Sequence, residues 1–313
     1  MKNVLVTLQL QEHSRIEIEQ IEGYSFRFKR TKDVTDDDLA WAQVIVGGPS
    51  LKDVEKAPGL EWIQTPFAGV NTYKDLPEHI ILSNAYGAYG QGIGEFMTAC
   101  VLSADKKLGQ YARIQKERQW ECLGFGKGVS NMKVLSVGAG SIGRQFMMRM
   151  HALGAECRGV TRTKHDTPEY AEGMYTFDQL DELLPDMDVV ALSLPETELT
   201  IHMFDRQRLE KTKPGSILIN VGRGTAIVTH DLLQVVRKHH FSAVFLDVTD
   251  PEPLPKNDPL WTEEDVYITP HISGRYANPA NYENVLSVIK ENLRRSAEGK
   301  PLLHVVNKES GGY

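Results

Sequence analysis

Residues 134–143 read Val134-Leu135-Ser136-Val137-Gly138-Ala139-Gly140-Ser141-Ile142-Gly143, a short apolar run that leads into the pattern G-x-G-x-x-G. The following segment, Arg144–Leu153, has the spacing of an amphipathic helix. In a strand–turn–helix unit, the three glycines permit a tight turn, close approach of a ligand to the backbone, and close packing of the helix on the strand. We therefore predict a dinucleotide-binding turn, with Gly138, Gly140, Ser141, Ile142 and Gly143 around a pyrophosphate. The alternative is a set of glycines that only shape a tight turn.

Apolar runs on both sides of this turn predict further parallel strands. The downstream set, which includes the strand of the turn itself, is Lys133–Val137, Cys157–Val160, Val189–Leu192, Ile217–Asn220, Ala243–Asp247 and Val266–Thr269. Upstream they are Val4–Leu8, Ser25–Phe28, Val44–Val46, Trp62–Thr65 and Ile80–Ser83. Such runs, separated by helical stretches, are typical of a parallel sheet, and a doubly wound sheet has about six strands. The sequence predicts an α/β fold of two doubly wound, Rossmann-like or flavodoxin-like domains.

Two long amphipathic stretches predict how the domains are connected. Residues 90–120 repeat apolar side chains at helical spacing and are predicted as one helix that links the domains. Residues 281–297 predict a second long helix. If this helix returns to the first domain, the substrate domain is discontinuous, with residues 1–98 and 282–313. The nucleotide-binding domain, residues 99–281, is then inserted into it.

The composition excludes several classes of protein. The 313 residues carry 35 Lys and Arg against 42 Asp and Glu, a net charge of −7, which disfavours nucleic acid as a partner. No run reaches the roughly 18 apolar residues of a membrane span, and Met1 is not followed by a signal-peptide pattern, so a cytoplasmic protein without membrane contact is expected. Cys100, Cys122 and Cys157 are widely spaced and odd in number, which predicts reduced, mostly buried thiols and no metal site.

The end of the strand after the glycine turn bears on the choice of dinucleotide. An NAD enzyme places Asp or Glu there, on the ribose 2′-hydroxyl, whereas this chain has Thr161, Arg162, Thr163 and Lys164. Cations and hydroxyls can bind a 2′-phosphate that a carboxylate would repel. We therefore predict a preference for NADP(H), with NAD(H) possible. The alternative is that Arg162 and Lys164 belong to an ordinary solvated loop.

Three segments at strand ends, in a fixed order, resemble a known family. They are Asn220-Val221-Gly222-Arg223-Gly224, Leu246-Asp247-Val248-Thr249-Asp250-Pro251-Glu252-Pro253-Leu254 and Thr269-Pro270-His271-Ile272-Ser273-Gly274. Leu194-Pro195-Glu196-Thr197 with Thr200, the glycine turn and the closing Gly312-Tyr313 fall in the same order. Together they resemble the D-isomer-specific 2-hydroxyacid dehydrogenases over essentially the whole chain. Within that family, the segment after the second strand is similar to the NADP-preferring glyoxylate/hydroxypyruvate reductase branch.

The resemblance implies roles for individual residues. Arg223 matches the arginine that binds the carboxylate and carbonyl of a 2-oxo acid, a task that suits its planar fork. His271 matches the general acid/base and Glu252 its carboxylate partner. Further cofactor contacts are implied at Leu194, Pro195, Val221, Asp247, His271 and Gly274. A lone histidine is more often a surface or packing residue, and His271 differs by its place after a strand.

A loop in the first domain is the predicted second part of the substrate site. In the family, backbone amides of such a loop hold the substrate carboxylate, and the matching residues here are Ala68 and Gly69. A simple turn glycine is the alternative for Gly69. Arg275 and Tyr276 are bulkier than the residues often found after the histidine, which leaves the identity of the 2-oxo acid open. The sequence does not fix the physiological direction either.

The expected function is therefore NAD(P)H-dependent interconversion of a small 2-oxo acid and its D-2-hydroxy acid, in a homodimer. The apolar face of a helix such as Phe96–Leu108 could serve the dimer, although core packing explains that face equally well. The alternative function is a dinucleotide-sensing interaction protein, because the C-terminal-binding corepressors share this fold and keep its catalytic residues.

Overall fold

The structure, a computed structural model, describes residues 1–307. Gly312 and Tyr313, which belong to the motifs above, lie outside the described residues. Within residues 1–307 there is no helix with the length and apolar character needed to cross a membrane.

The chain forms two compact units. The small unit consists of Met1–Tyr89 and the chain from Tyr276 onward, and the large unit is Gly90–Arg275. The boundaries predicted from sequence, at 98/99 and 281/282, lie a few residues further along the chain. The assignment of substrate and nucleotide to separate domains stays a prediction.

The described residues contain strands and helices in alternation. The strands are β1 (Lys2–Val6), β2 (Tyr24–Phe28), β3 (Val44–Val46), β4 (Trp62–Gln64), β5 (Ile81–Ser83), β6 (Lys133–Val137), β7 (Glu156–Thr161), β8 (Gly173–Thr176), β9 (Val189–Leu192), β10 (Ser216–Asn220), β11 (Phe241–Leu246) and β12 (Val266–Ile268). The α-helices are α1 (Glu12–Glu19), α2 (Asp36–Trp41), α3 (Leu51–Glu55), α4 (Gly90–Asp105), α5 (Leu108–Lys116), α6 (Ser141–Ala152), α7 (Leu180–Leu183), α8 (Arg206–Lys211), α9 (Thr229–Val236) and α10 (Pro279–Ala297).

The small unit is built on a five-stranded sheet in the order β2-β1-β3-β4-β5, and every pair is parallel. Val44–Val46 is buried at every residue, which is expected for a parallel strand covered on both faces. The sheet core includes Leu5, Ile45, Ile63 and Leu82, all at most 1% exposed. The predicted parallel α/β arrangement of the first part of the chain is confirmed.

The C-terminal residues complete the small unit. The fully buried Asn292 on α10 donates from Nδ2 to Gln64 Oε1 at 2.7 Å and to the Leu303 carbonyl at 3.0 Å. Its Oδ1 accepts from the Leu303 amide at 2.7 Å. The Val306 amide donates to the Leu82 carbonyl at 2.8 Å. One buried amide side chain therefore joins β4, α10 and the segment at Leu303.

The large unit has seven parallel strands, in the order β12-β11-β10-β9-β6-β7-β8. The chain runs outward from β6 in one direction and then returns to build the other wing, so the switch point lies beside β6. The prediction of six strands was one short, because it missed β8. This edge strand has four residues, Gly173–Thr176, two of them half-buried, and so lacks a distinct apolar run.

The predicted single helix over residues 90–120 was wrong, because the structure has α4 and α5 instead. Lys107 adopts a left-handed conformation with φ 55°, which interrupts the helix between them. The apolar face of α4 packs inside the large unit, where Met97 and Val101 are fully buried. A Cβ on Gly94 would lie 3.1 Å from the Gln145 carbonyl carbon on α6, so glycine permits the close approach of the two helices.

Candidate active site

The glycine turn lies at the carboxyl end of β6 and opens α6. Gly138 has φ +94°, and a Cβ there would lie 2.7 Å from the Ser193 carbonyl oxygen. A Cβ on Gly143 would lie 2.4 Å from Ser136 Oγ, so any larger residue would push the helix off the strand. Gly140 is the N-cap of α6, and no side chain caps the first turn. Helix N-terminal amides and a backbone that a ligand can approach suit a pyrophosphate, so these residues fit the predicted dinucleotide.

The turn after β7 presents cations to solvent. Thr161 Oγ1 donates to the Thr163 carbonyl at 2.7 Å, which folds the chain into a tight turn. Arg162, Thr163 and Lys164 are exposed, whereas Thr161 is only 9% exposed. Among residues 1–307, no ion pair involves Arg162 or Lys164. The turn thus keeps two positive side chains available for an anion.

His271, in the loop after β12, forms an ion pair with Glu252, in the loop after β11. The distance from His271 Nδ1 to Glu252 Oε1 is 2.7 Å, and the two side chains are 47% and 42% exposed. When Nδ1 carries the proton and donates it to Glu252, Nε2 is the nitrogen that can exchange a proton with a substrate. The structure therefore brings together the two residues that the sequence assigned to acid/base chemistry.

Asp247 lies beneath the His271 segment and is 2% exposed. Its Oδ1 accepts from Thr269 Oγ1 at 2.6 Å and from the Ile272 amide at 2.9 Å. Its Oδ2 accepts from the Ser273 amide at 3.0 Å and from Ser273 Oγ at 2.5 Å. Sequence reasoning missed Thr269 and Ser273, although their hydroxyls two residues before and after the histidine were a possible signal.

Cys100 of α4 lies near the Asp247 carboxylate. Burial, with the charge of Asp247 as a smaller contribution, raises the pKa of the Cys100 thiol to about 12, so the thiol stays neutral at physiological pH. Burial likewise raises the pKa of Cys157 to about 12. All three cysteines are free, and Cys122 is exposed, so the prediction of mostly buried thiols holds for two of the three.

The loop after β10 carries Arg223 and is fixed from below by Asn220. Asn220 is 1% exposed, donates from Nδ2 to the Arg223 carbonyl at 2.9 Å, and accepts from the Gly222 amide at 3.1 Å. The Arg223 guanidinium donates from one terminal nitrogen to the Gly222 carbonyl at 2.7 Å and remains partly exposed. The sequence pointed to Arg223 but not to Asn220 as the residue that holds its loop.

Close backbone contacts join the neighbouring loops of this edge. A Cβ on Gly222 would lie 2.6 Å from both the amide nitrogen and the carbonyl oxygen of Leu194. A Cβ on Gly224 would lie 2.0 Å from the Thr249 carbonyl carbon. The loops after β9, β10 and β11 therefore meet at one edge of the sheet. The predicted cofactor contacts Leu194, Pro195, Val221, Asp247 and Gly274 all lie in the loops at this edge.

The predicted substrate loop lies in the small unit, after β4. Asn84 Nδ2 donates to the Ala68 carbonyl at 2.9 Å, and Thr65 Oγ1 donates to the Phe67 carbonyl at 2.9 Å. Ala68 and Gly69 are half-buried. The loop is held by side chains of its own unit, and its two predicted substrate contacts stay predictions.

Both the sequence and the fold of this chain resemble those of known proteins. The family profile "D-isomer specific 2-hydroxyacid dehydrogenase, NAD binding domain" matches residues 98–273. The chain is 31% identical over 282 residues to glyoxylate/hydroxypyruvate reductase B of Yersinia pestis bv. Antiqua (strain Nepal516), and the match covers 87% of this chain and 86% of that protein.

Solved structures resemble the whole chain. A D-isomer specific 2-hydroxyacid dehydrogenase family protein from Aeromonas salmonicida subsp. salmonicida A449 has a TM-score of 0.89 and 28% identity, over 98% of this chain and 99% of that one. An NADPH-dependent glyoxylate/hydroxypyruvate reductase from Sinorhizobium meliloti, solved with NADP and sulfate, shares the fold with a TM-score of 0.84 and 23% identity, over 99% and 100% of the two chains. The chain therefore belongs to the D-isomer specific 2-hydroxyacid dehydrogenase family, oxidoreductases that act on a CH–OH group with NAD or NADP.

Proposed function

We propose that this protein is an NADPH-dependent reductase of a small 2-oxo acid such as glyoxylate or hydroxypyruvate. The observation that carries the proposal is the 2.7 Å contact between His271 Nδ1 and Glu252 Oε1, on the sheet edge that also carries Arg223. A carbonyl reduction needs a proton donor, a cation for the carboxylate and a hydride source. The chain's own residues provide the first two.

The proposed roles follow from the chemistry of each side chain. Bound NADPH supplies the hydride. His271 donates a proton from Nε2 to the carbonyl oxygen as it becomes negative, and it takes the proton back in the oxidation direction. Glu252 stabilises the imidazolium and fixes its ring. Arg223 binds the substrate carboxylate and polarises the carbonyl through its planar fork. Ala68 and Gly69 are the proposed amide donors to the same carboxylate.

The proposed preference for NADPH is supported by the turn after β7. No carboxylate stands at the end of that strand, and Arg162 and Lys164 are exposed without an ion pair among the described residues. The Sinorhizobium meliloti relative, whose fold this chain shares, is described as NADPH-dependent. A 2′-phosphate would gain charge-assisted hydrogen bonds from these side chains, whereas a 2′-hydroxyl would leave them in water.

The test of the proposed function is turnover across a panel of 2-oxo acids with NADPH and NADH at equal concentration. We expect reduction of glyoxylate or hydroxypyruvate with NADPH, and a clearly higher kcat/KM for NADPH than for NADH. A strong NADH preference would contradict the cofactor assignment. Negligible turnover with every acid, with NADPH still bound, would instead favour the dinucleotide-sensing alternative.

We further propose a homodimer, although not through the apolar face of α4, because that face packs within the large unit. Trp120 is fully exposed and Phe125 is 94% exposed, both between α5 and β6. A second copy would cover these side chains. The double change Trp120→Ala and Phe125→Ala should shift the protein from dimer to monomer in analytical ultracentrifugation, and an unchanged sedimentation coefficient would contradict this.

A cytoplasmic location stays a prediction from the sequence.

A further inference from the structure

Phe67 presents an exposed aromatic ring in a loop whose neighbouring residues are buried or half-buried. It follows β4 and directly precedes Ala68 and Gly69, the proposed amide donors to the substrate carboxylate. Its side chain is 37% exposed, whereas Pro66 before it is buried and the two residues after it are half-buried. The loop therefore offers one apolar surface next to the place proposed for the acid.

The ring of Phe67 is supported by residues of its own unit. It stacks on the Tyr73 ring, with the centroids 6.5 Å apart and an interplanar angle of 14°. Tyr73 is 3% exposed, and its hydroxyl donates to the Pro49 carbonyl at 2.8 Å, which fixes this second ring in turn. A Cβ on Gly48 would lie 3.0 Å from Phe67 Cε1, so glycine leaves room for the ring. Because the ring is already held, little side-chain freedom is lost when a ligand packs on its exposed surface.

The backbone of Phe67 is fixed as well. Its carbonyl accepts from Thr65 Oγ1 at 2.9 Å and from the Ala85 amide at 3.3 Å. The carbonyl of Ala68 accepts from Asn84 Nδ2 at 2.9 Å. These bonds join the loops that follow β4 and β5 at the carboxyl edge of the small unit's sheet. Open α/β sheets bind ligands at this edge, so the ring stands where a ligand is expected.

We propose that Phe67 is a specificity residue, whose ring packs against the carbon chain of the substrate beyond its carbonyl group. The inference rests on the proposed function, in which Ala68 and Gly69 bind the carboxylate. Consecutive Cα atoms are about 3.8 Å apart, so a small acid bound to these two amides lies beside the ring. Glyoxylate has only hydrogen on its carbonyl carbon, whereas a longer acid buries apolar surface on the ring. The ring therefore selects 2-oxo acids of three or more carbons over glyoxylate.

The size of the effect follows from the number of carbon atoms that the ring covers. Each buried CH2 group strengthens binding by about fourfold. Relative to glyoxylate, 2-oxobutyrate has two additional carbons, so loss of the ring should change the ratio of their kcat/KM values by about tenfold. Glyoxylate is an aldehyde and differs in intrinsic reactivity from a ketone. That difference cancels when the same ratio is compared between variants of the enzyme.

The test measures kcat/KM for glyoxylate, pyruvate and 2-oxobutyrate with NADPH in the unaltered enzyme, in Phe67→Ala and in Phe67→Leu. In Phe67→Ala, we expect the ratio of 2-oxobutyrate to glyoxylate to fall about tenfold, and the ratio of pyruvate to glyoxylate to fall about fourfold. Phe67→Leu keeps part of the apolar surface and should lower the first ratio by about threefold. The KM for NADPH should stay the same in both variants, because the proposed phosphate contacts lie in the large unit.

A matched control separates specificity from a structural role. Ile81 is the first residue of β5, at the amino edge of the same sheet, and is 45% exposed. Ile81→Ala also removes an exposed apolar side chain, but it should leave the ratios unchanged. If the Phe67 variants lower kcat/KM equally for all three acids, the ring has only a structural role and the inference is overturned. A higher ratio in Phe67→Ala would overturn it too, because the ring would then block the carbon chain. Should Phe67→Ala not fold, Phe67→Leu decides.

The same measurements distinguish failure of the inference from failure of the proposed function. If the unaltered enzyme reduces none of the 2-oxo acids, the proposed function fails. If it reduces them and both Phe67 variants keep the ratios of the unaltered enzyme, only the role of Phe67 is refuted and the proposed function stands.

Discussion

Two segments at the same edge of the large unit's sheet are built in opposite ways. The turn at residues 161–164 points Arg162 and Lys164 into solvent, and no ion pair within residues 1–307 involves either. The segment at residues 269–273 is held by four hydrogen bonds to the buried Asp247 carboxylate. The first segment leaves its charged side chains exposed, whereas the second holds one side chain in place.

The difference has an energetic basis. An exposed cation keeps its water until a ligand arrives, so its removal changes ligand affinity and little else. A buried carboxylate that accepts four donors must keep all of them, because each orphaned donor is costly to bury. Substitutions in the first segment should therefore act on one binding constant, while those in the second should act on the reaction itself.

The largest effect is expected from removal of the imidazole at the centre of the second segment. His271→Ala should lower kcat by about 100- to 10,000-fold, the usual contribution of a general acid/base. The affinity for NADPH should stay nearly unchanged, since the proposed phosphate contacts lie at the other segment and the glycine turn. Steady-state kinetics and fluorescence titration of NADPH measure the two quantities. Near-normal turnover would show that His271 is not the acid.

The next effect tests the first segment. Replacement of both Arg162 and Lys164 with Ala should raise the KM for NADPH by about 10- to 100-fold, the equivalent of one or two charge-assisted hydrogen bonds. The KM for NADH should not change. Arg237→Ala is a suitable control, because Arg237 is an exposed arginine of the same unit that pairs with Glu263 at 2.8 Å. Equal losses with NADPH and NADH would argue against a 2′-phosphate contact.

The smallest effect is expected from a change in the partner of His271 that leaves His271 itself in place. Glu252→Gln keeps the shape of the partner and removes its charge, so His271 Nδ1 loses its charged hydrogen-bond acceptor. Because the 2.7 Å contact with Glu252 orients the imidazole, kcat should fall by about tenfold, the size of one hydrogen bond to a charged group. Steady-state kinetics measure the loss, and an unchanged kcat would contradict the partnership.

The sequence predicted the parts of this edge that follow from residue type and order. Apolar runs such as Val44–Val46 and Val189–Leu192 have the same bounds in the structure, because strands buried on both faces leave a distinct pattern. Arg223, Glu252 and His271 were chosen because each stands after a predicted strand, and the carboxyl ends of parallel strands share one edge. These predictions needed no knowledge of backbone angles.

The features that the sequence did not predict depend on local backbone conformation. Nothing in the composition around Lys107 indicates its left-handed conformation, which divides the predicted helix in two. The hydrogen bonds by which Asn220, Thr269 and Ser273 hold their loops can be seen only in the folded turns, because hydrogen bonds to backbone amides depend on φ and ψ. Residue type was enough to identify the candidate catalytic residues. The residues that hold their loops in place could be identified only from the structure.

The buried Asn292 has a consequence for how the chain is made. It bonds to Gln64, near the start of the chain, and to Leu303, near the end of the described residues. During synthesis the large unit emerges whole from the ribosome before α10 does, and domains generally fold as they emerge. The small unit, although its first strand is made first, must wait for α10 and the residues after it. The large unit, which is formed by the middle of the chain, can therefore complete its fold before the small unit, which contains the first strand.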